Sequence, residues 1–232
     1  MENPEDVEKV GREDIGYSAL KVAIGMVPVA GPVFQEWLPY VLAPPIESRR
    51  ARFMEQLHER IKWLEENRGL NIEELANNEV FVDVVLNAAA SAQRTSEEAK
   101  REALKNAVTN TALQLNPDIT KTHIFLRYID SLTEMHLIIL SFFRNPTKWF
   151  SDNNRDFPAY MMGSLFGILT DAYPKMKAQD KFVEVLWTDL NSYGLVSTSS
   201  LRGNISGDGL RSPYTSSLGN EFLNFITFDQ RV

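Results

Sequence analysis

Residues 134–143, Glu134-Met135-His136-Leu137-Ile138-Ile139-Leu140-Ser141-Phe142-Phe143, decide the class of this chain. Apolar side chains occupy every side of a helix drawn through them, so the spacing predicts a helix buried all round. Thr133 stands where a cap belongs, and Asn145-Pro146 supplies the stop.

Upstream, Ile119, Phe125, Leu126, Ile129 and Leu132 mark one more helical face. Asn116-Pro117-Asp118 ends the helix before it, whose face is Ala99, Ala103, Leu104, Ala107, Val108 and Leu113. Thr95-Ser96-Glu97-Glu98 has the form of a capping box. A further stretch opens at Asn71, with Glu74 as its capping partner, and carries Val80, Phe81, Val84, Val85 and Ala88 to about Ala92. Residues 46–66 form the clearest helix, with Met54, Leu57, Ile61 and Leu64 as a narrow apolar seam. Asn67-Arg68-Gly69 then closes it with a left-handed glycine cap.

Downstream, residues 151–156 form a polar loop. Pro158 suits the first turn of a helix to about Ala172, and another helix runs from Lys177 to Ser192, ended by Gly194. Residues 197–217 are rich in Ser, Gly and Thr and read as a hairpin or long loop, with short strands near Leu195-Val196 and Pro213-Tyr214. Ser217 and Glu221 flank a last helix, Leu218–Ile226. The expected fold is mainly α: a helical bundle followed by a three-helix region with a small β-hairpin.

The N-terminal part differs. Residues 1–18 are a polar tail, and residues 19–46 an apolar, proline-rich segment in which Glu36 is the only charge after Lys21. Pro28, Pro32, Pro39, Pro44 and Pro45 predict broken helical turns docked on protein. Trp37 and Tyr40 are its candidate contact residues. The basic run Arg49, Arg50 and Arg52 follows directly. It reads either as a solvated helix start pairing with Glu47, Glu55 or Glu59, or as the headgroup-facing rim of an apolar hairpin. The division expected is therefore a tail at 1–18, the apolar segment at 19–46, a helical region at 47–130 and a C-terminal region at 131–232.

The chain has 232 residues, 44% hydrophobic and 24% charged, enough apolar mass for a sizeable core. Its net charge of -7 disfavours a general role on nucleic acid or anionic membrane. There is no cysteine, which removes disulfides, thiolate metal sites and thiol nucleophiles and fits a reducing compartment. The acidic start, MENPEDVEKV, lacks the basic region of a secretory signal, so a cytoplasmic location is expected.

No motif marks an active site. His58, His123 and His136 lie far apart and fit no metal spacing. Phosphate-binding loops and the GxSxG elbow do not occur, and Gly203, Gly207 and Gly209 lack a strand-then-helix context. Asp152, Asn154 and Asp156 lack the glycine and glutamate of a calcium loop. No catalytic residue, cofactor or metal is expected.

The C-terminal order carries a resemblance. Leu132-Thr133-Glu134-Met135-His136 and the aliphatic run after it look like a first winged-helix helix. Leu190-Asn191-Ser192-Tyr193-Gly194-Leu195-Val196 is similar to the L-x-x-x-G-L-I end of a third. The Ser/Gly-rich hairpin takes the place of the wing, and Thr215 to Leu223 resembles an L-T-x-x-G-x-x-F closing helix, although Tyr214 stands where an aliphatic residue is preferred. Phe81 to Leu113 looks like the paired helices that precede such a tail in the bacterial Abi-alpha (abortive infection alpha) proteins. The resemblance spans roughly residues 40–226 and implies a bacterial phage-defence role, with no catalytic residues to carry over.

The function expected is that of a non-enzymatic helical interaction protein acting through a protein partner or self-association. Trp37, Tyr40, Arg49, Arg50, Arg52, Met54, Leu57, Ile61 and Leu64 are the candidate contact residues. A DNA-binding winged-helix regulator is one alternative, disfavoured by Glu184 and Asp189 on the presumed recognition helix. A membrane-active effector using residues 22–46 is the other.

Overall fold

Short polar caps divide the chain into helices whose apolar stripes close on one another. The computed structural model describes the backbone of residues 32–114 and 118–228, and side chains from residue 47 onward. In chain order the helices are α1 (Pro32–Arg68), α2 (Ile72–Ala76), α3 (Glu79–Arg94), α4 (Glu98–Ala112) and α5 (Ile119–Ser131). They continue as α6 (Glu134–Arg144), α7 (Pro146–Asp152), α8 (Leu165–Ala172), α9 (Asp180–Ser192) and α10 (Ser217–Ile226). Single 3-10 turns lie at Pro174–Gln179 and Gly209–Arg211. The two-stranded antiparallel sheet pairs β1 (Met162–Gly163) with β2 (Ile205–Ser206), and Val196 bridges Thr215 nearby. The mainly helical expectation holds, with a small sheet.

Several expected boundaries move, each for a local reason. The proline-rich segment does not break: α1 runs without interruption from Pro32 through Pro39, Pro44 and Pro45 to Arg68. Proline's fixed φ lies in the helical range, so the backbone stays helical although each ring removes one hydrogen bond and crowds the preceding turn. Residues 1–18 and 19–31, and the Asn116-Pro117 stop, lie outside the described residues. The helix opened by Asn71 ends at Ala76, because Asn78 caps afresh by accepting from the Phe81 amide at 3.1 Å. The Thr95 hydroxyl accepts from the Glu97 amide at 3.1 Å, a tight turn that places the first turn of α4 at Glu98. Pro158 starts no helix; Ser164 caps α8 by accepting from the Gly167 amide at 3.1 Å. The last helix is capped by Ser216, one residue earlier than expected.

The core is one body. Buried apolar side chains run from Phe53 on α1 to Ile226 on α10. The region from residue 131 onward is therefore joined to the helices before it. Helix α4 is the hub, lying against α1, α3, α5 and α10. It is also unusually polar for its burial, with Lys100, Lys105, Asn106, Thr109 and Thr111 all sunk. Each has a partner, as buried polar groups require. The two threonines donate to carbonyls of their own helix at 2.8 Å. Lys100 Nζ donates to Asp130 O at 2.7 Å, and Lys105 Nζ to Gln56 Oε1 at 2.9 Å. Asn106 Nδ2 donates to Ile226 O at 2.9 Å, and Asn110 Nδ2 reaches the carbonyls of Asn224, Phe225 and Thr227. Two asparagines of α4 thus close the free carbonyls at the C-terminal end of α10.

The decisive helix α6 is buried as its sequence requires. His136, Leu137, Ile139, Leu140, Phe142 and Phe143 are enclosed, while Glu134 and Ser141 stay exposed. Phe143 meets Trp187 of α9 edge-on at 5.0 Å, and Trp187 Nε1 donates to Thr198 O at 3.1 Å. Gly219 lets α10 lie directly on the Leu195 carbonyl, which a Cβ at that position would overlap.

Candidate functional site

The seam chosen from sequence is largely spent inside the molecule. Leu57 and Leu64 are buried and Ile61 half-buried, facing α3 and α4. Met54 is 39% exposed and its place in the core is taken by Phe53, at 2%. At about 100° per residue, positions three and four before Leu57 both fit its face, so spacing alone does not choose between Met54 and Phe53. Arg50 and Arg52 are exposed. Arg49 donates to Gln93 O in the last turn of α3 at 3.4 Å, an acceptor other than the glutamates expected. Trp37 and Tyr40 lie on α1, but their side chains fall outside the described residues.

Behind the seam, a charged network ties α1 to α4. Arg60 donates to Glu102 Oε1 at 2.8 Å and to Asn106 Oδ1, and Lys105 meets Glu102 Oε2 at 2.7 Å. Burial pushes the Glu102 carboxyl up, but the Lys105 and Arg60 hydrogen bonds outweigh it and hold it below its ordinary value. Its partners are fully engaged, so this cluster fastens helices.

His136 is buried at the start of α6. Its Nδ1 accepts from the Thr133 amide at 3.0 Å and lies 2.9 Å from the Thr133 hydroxyl. That places the neutral ring's proton on Nε2, which faces Asp189 Oδ2 on α9 at 3.5 Å without a full hydrogen bond. Burial lowers the imidazole's affinity for a second proton, and Asp189 offsets this only in part. A hydroxyl, an imidazole and a carboxylate thus stand in line. The Nδ1 lone pair is already taken by a backbone amide, however, so the ring acts as the reciprocal cap of α6.

The outer face of α9 carries exposed apolar side chains among charges. Phe182 is 50% exposed and Val185 53%, one helical turn apart. Asp180 and Glu184 lie beside them, and Arg202 from the loop after α9 donates to Glu184 Oε1 and, at 3.4 Å, to Asp180 Oδ2. The Arg202 guanidinium also covers the Phe166 ring at 4.1 Å. The same loop carries Ile205-Ser206, which pair with β1, next to Met161 at 93% exposure. No family model matches the chain, and no curated protein or solved structure matches it.

Among the described residues no group of three His, Asp or Glu is placed to hold a metal ion, and no helix is long and apolar enough to cross a membrane. Sequence reasoning picked out the acids of α9 but missed Phe182 and Val185, because buried and exposed apolar residues alternate there as Phe182-Val183 and Val185-Leu186. The signal was present: Val183, Leu186, Trp187 and Leu190 already fill one stripe, leaving Phe182 and Val185 outside it.

Proposed function

We propose that this is a non-enzymatic helical interaction protein, acting in bacterial phage defence, whose partner docks on the outer face of α9. One observation carries the reading: two large apolar side chains stand exposed among carboxylates, and the nearest arginine is clamped to two of those carboxylates. A phosphate backbone would meet the Asp180 and Glu184 carboxylates there, with the nearest arginine already clamped to them and Lys181 the one exposed ammonium beside Phe182. A protein surface with an apolar centre and basic rim would find complementary groups. Three longer helices, α6, α8 and α9, with α7 and β1 inserted after the first and the later strand β2 returning to β1, support a winged-helix-like reading of this half, here used for protein rather than DNA.

The test pairs two assays. Duplex DNA should give no specific shift at about 0.15 M salt. Cells carrying the wild-type chain should resist phage, and Phe182→Glu with Val185→Glu should lose resistance while melting like wild type. Specific DNA binding at nanomolar protein, or full protection by the double variant, would overturn the reading.

A second reading, contact of the apolar segment with a membrane surface, gains from the continuity of α1. Residues 32–46 make a helix about 22 Å long, short of the roughly 30 Å hydrocarbon thickness, so lying at the interface fits better than spanning. Flotation with liposomes that Trp37→Glu abolishes would favour it.

A further inference from the structure

Between α3 and α5 lies a cleft of ≈ 170 Å³ whose walls are polar. Its floor is a tied network. The buried Ser91 hydroxyl donates to Asp130 Oδ1, Arg94 Nη2 donates to Asp130 Oδ2 at 2.9 Å, and the buried Lys100 ammonium donates to the Asp130 carbonyl at 2.7 Å. Both oxygens of the Asp130 carboxylate are thereby engaged, one of them by a cation. Above the floor, His123 and Arg127 project from successive turns of α5 into the same cleft. Neither has a hydrogen bond, ion pair or ring contact among the described residues. Asn87 on α3 completes the wall; its amide nitrogen gives one proton to Asp83 O at 2.8 Å and keeps a second.

The charge here runs against the whole. In a chain of net charge -7, the cleft sets Arg94 and Arg127 against a single carboxylate, Asp130, leaving an excess of one positive charge before His123 is counted. Free donors face inward from both helices. A planar carboxylate satisfies one guanidinium fork, whereas a tetrahedral oxyanion presents oxygens toward both walls at once. We propose that this cleft is a binding site for a phosphate group, held by Arg127 and His123 from α5 and by Arg94 and Asn87 from α3. Ser91 is a positioning residue, holding the Asp130 carboxylate toward the floor.

The site can be tested on the full chain by calorimetric titration and phosphorus NMR with inorganic phosphate, at constant ionic strength of about 0.15 M so that general screening is matched. Direct binding is preferred to thermal shift, because phosphate also stabilises proteins by exclusion from their surfaces. Saturable one-to-one binding is expected. It should weaken about tenfold or more in Arg127→Gln, the scale of one lost charge-assisted bond. It should weaken also in His123→Gln, and stay unchanged in Arg50→Gln, an exposed arginine outside the cleft. Acetate should not compete. Phenyl phosphate binding as well as inorganic phosphate would identify a monoester as the ligand, and its exclusion would identify the free ion. Absence of saturable binding, equal binding in Arg127→Gln, or displacement by equimolar acetate would overturn the proposal.

Discussion

Replacing Asn106 by Leu probes the joint on which the fold turns. Asn106 is buried on α4, accepts from Arg60 of α1 and donates to Ile226 O at the end of α10. Leucine keeps the volume and removes both bonds. The orphaned Ile226 carbonyl then costs about 1–3 kcal/mol as an unsatisfied buried acceptor. Arg60 loses less, since it retains Glu102 at 2.8 Å and some access to water. Added apolar burial returns part of the loss, so a net destabilisation of about 2–3 kcal/mol is expected. For a chain of this size that lowers the melting midpoint by about 4–12 °C. Urea unfolding followed by far-UV circular dichroism and by tryptophan fluorescence reads it directly. Both probes should give one shared transition with an unchanged slope, because α1, α4 and α10 belong to one core. A loss under about 0.5 kcal/mol, or two separated transitions, would refute the reasoning, since neither is compatible with a cost of this size in one cooperative unit.

Phe53→Ala should destabilise the protein by about 3–5 kcal/mol, whereas Met54→Ala should stay within about 0.5 kcal/mol, as chemical denaturation of the pair will show. Gly219→Ala should cost about 1–3 kcal/mol through overpacking, because its methyl group meets the Leu195 carbonyl; the same assay measures it, and a neutral result would mean that α10 can shift. His136 sets a pH dependence: its folded pKa is lowered, so the unfolded chain binds the extra proton first. Its contribution is fully present above the unfolded value near 6.5 and is lost as pH falls through the lowered folded value. Melting curves taken downward from pH 7 should therefore show a loss of stability that is smaller in His136→Gln.

What the sequence made legible was the helix inventory around strong periodicity. The seam of α1, the buried run of α6, the caps at Asn71 and Thr133, and the stop at Gly194 are all local features. Local chemistry alone, however, misplaced the cap that mattered in two places. Asn78 and Ser164 are ordinary polar residues until the chain around them is placed. The role of α4 was the least legible. Its face of alanines predicted one buried side, yet lysines, threonines and an asparagine are buried as well: the threonines donate to their own helix, and acceptors on α1, α5 and α10 meet the lysines and the asparagine from residues up to 120 positions away. The candidate surface on α9 was hidden for the converse reason: Phe182 and Val185 look like core residues, and only the filled stripe of Val183, Leu186 and Leu190 shows that they are left over.

If the outer face of α9 docks a partner, residue 182 lies against a protein in the cell. A photoreactive amino acid placed at Phe182, with a second chain carrying it at the exposed Lys62 on α1 as control, tests this in phage-challenged cells. A discrete protein adduct is expected from position 182, absent from position 62 and lost when Val185→Glu is added. An adduct with DNA at position 182, or the same adducts from both positions, would contradict it.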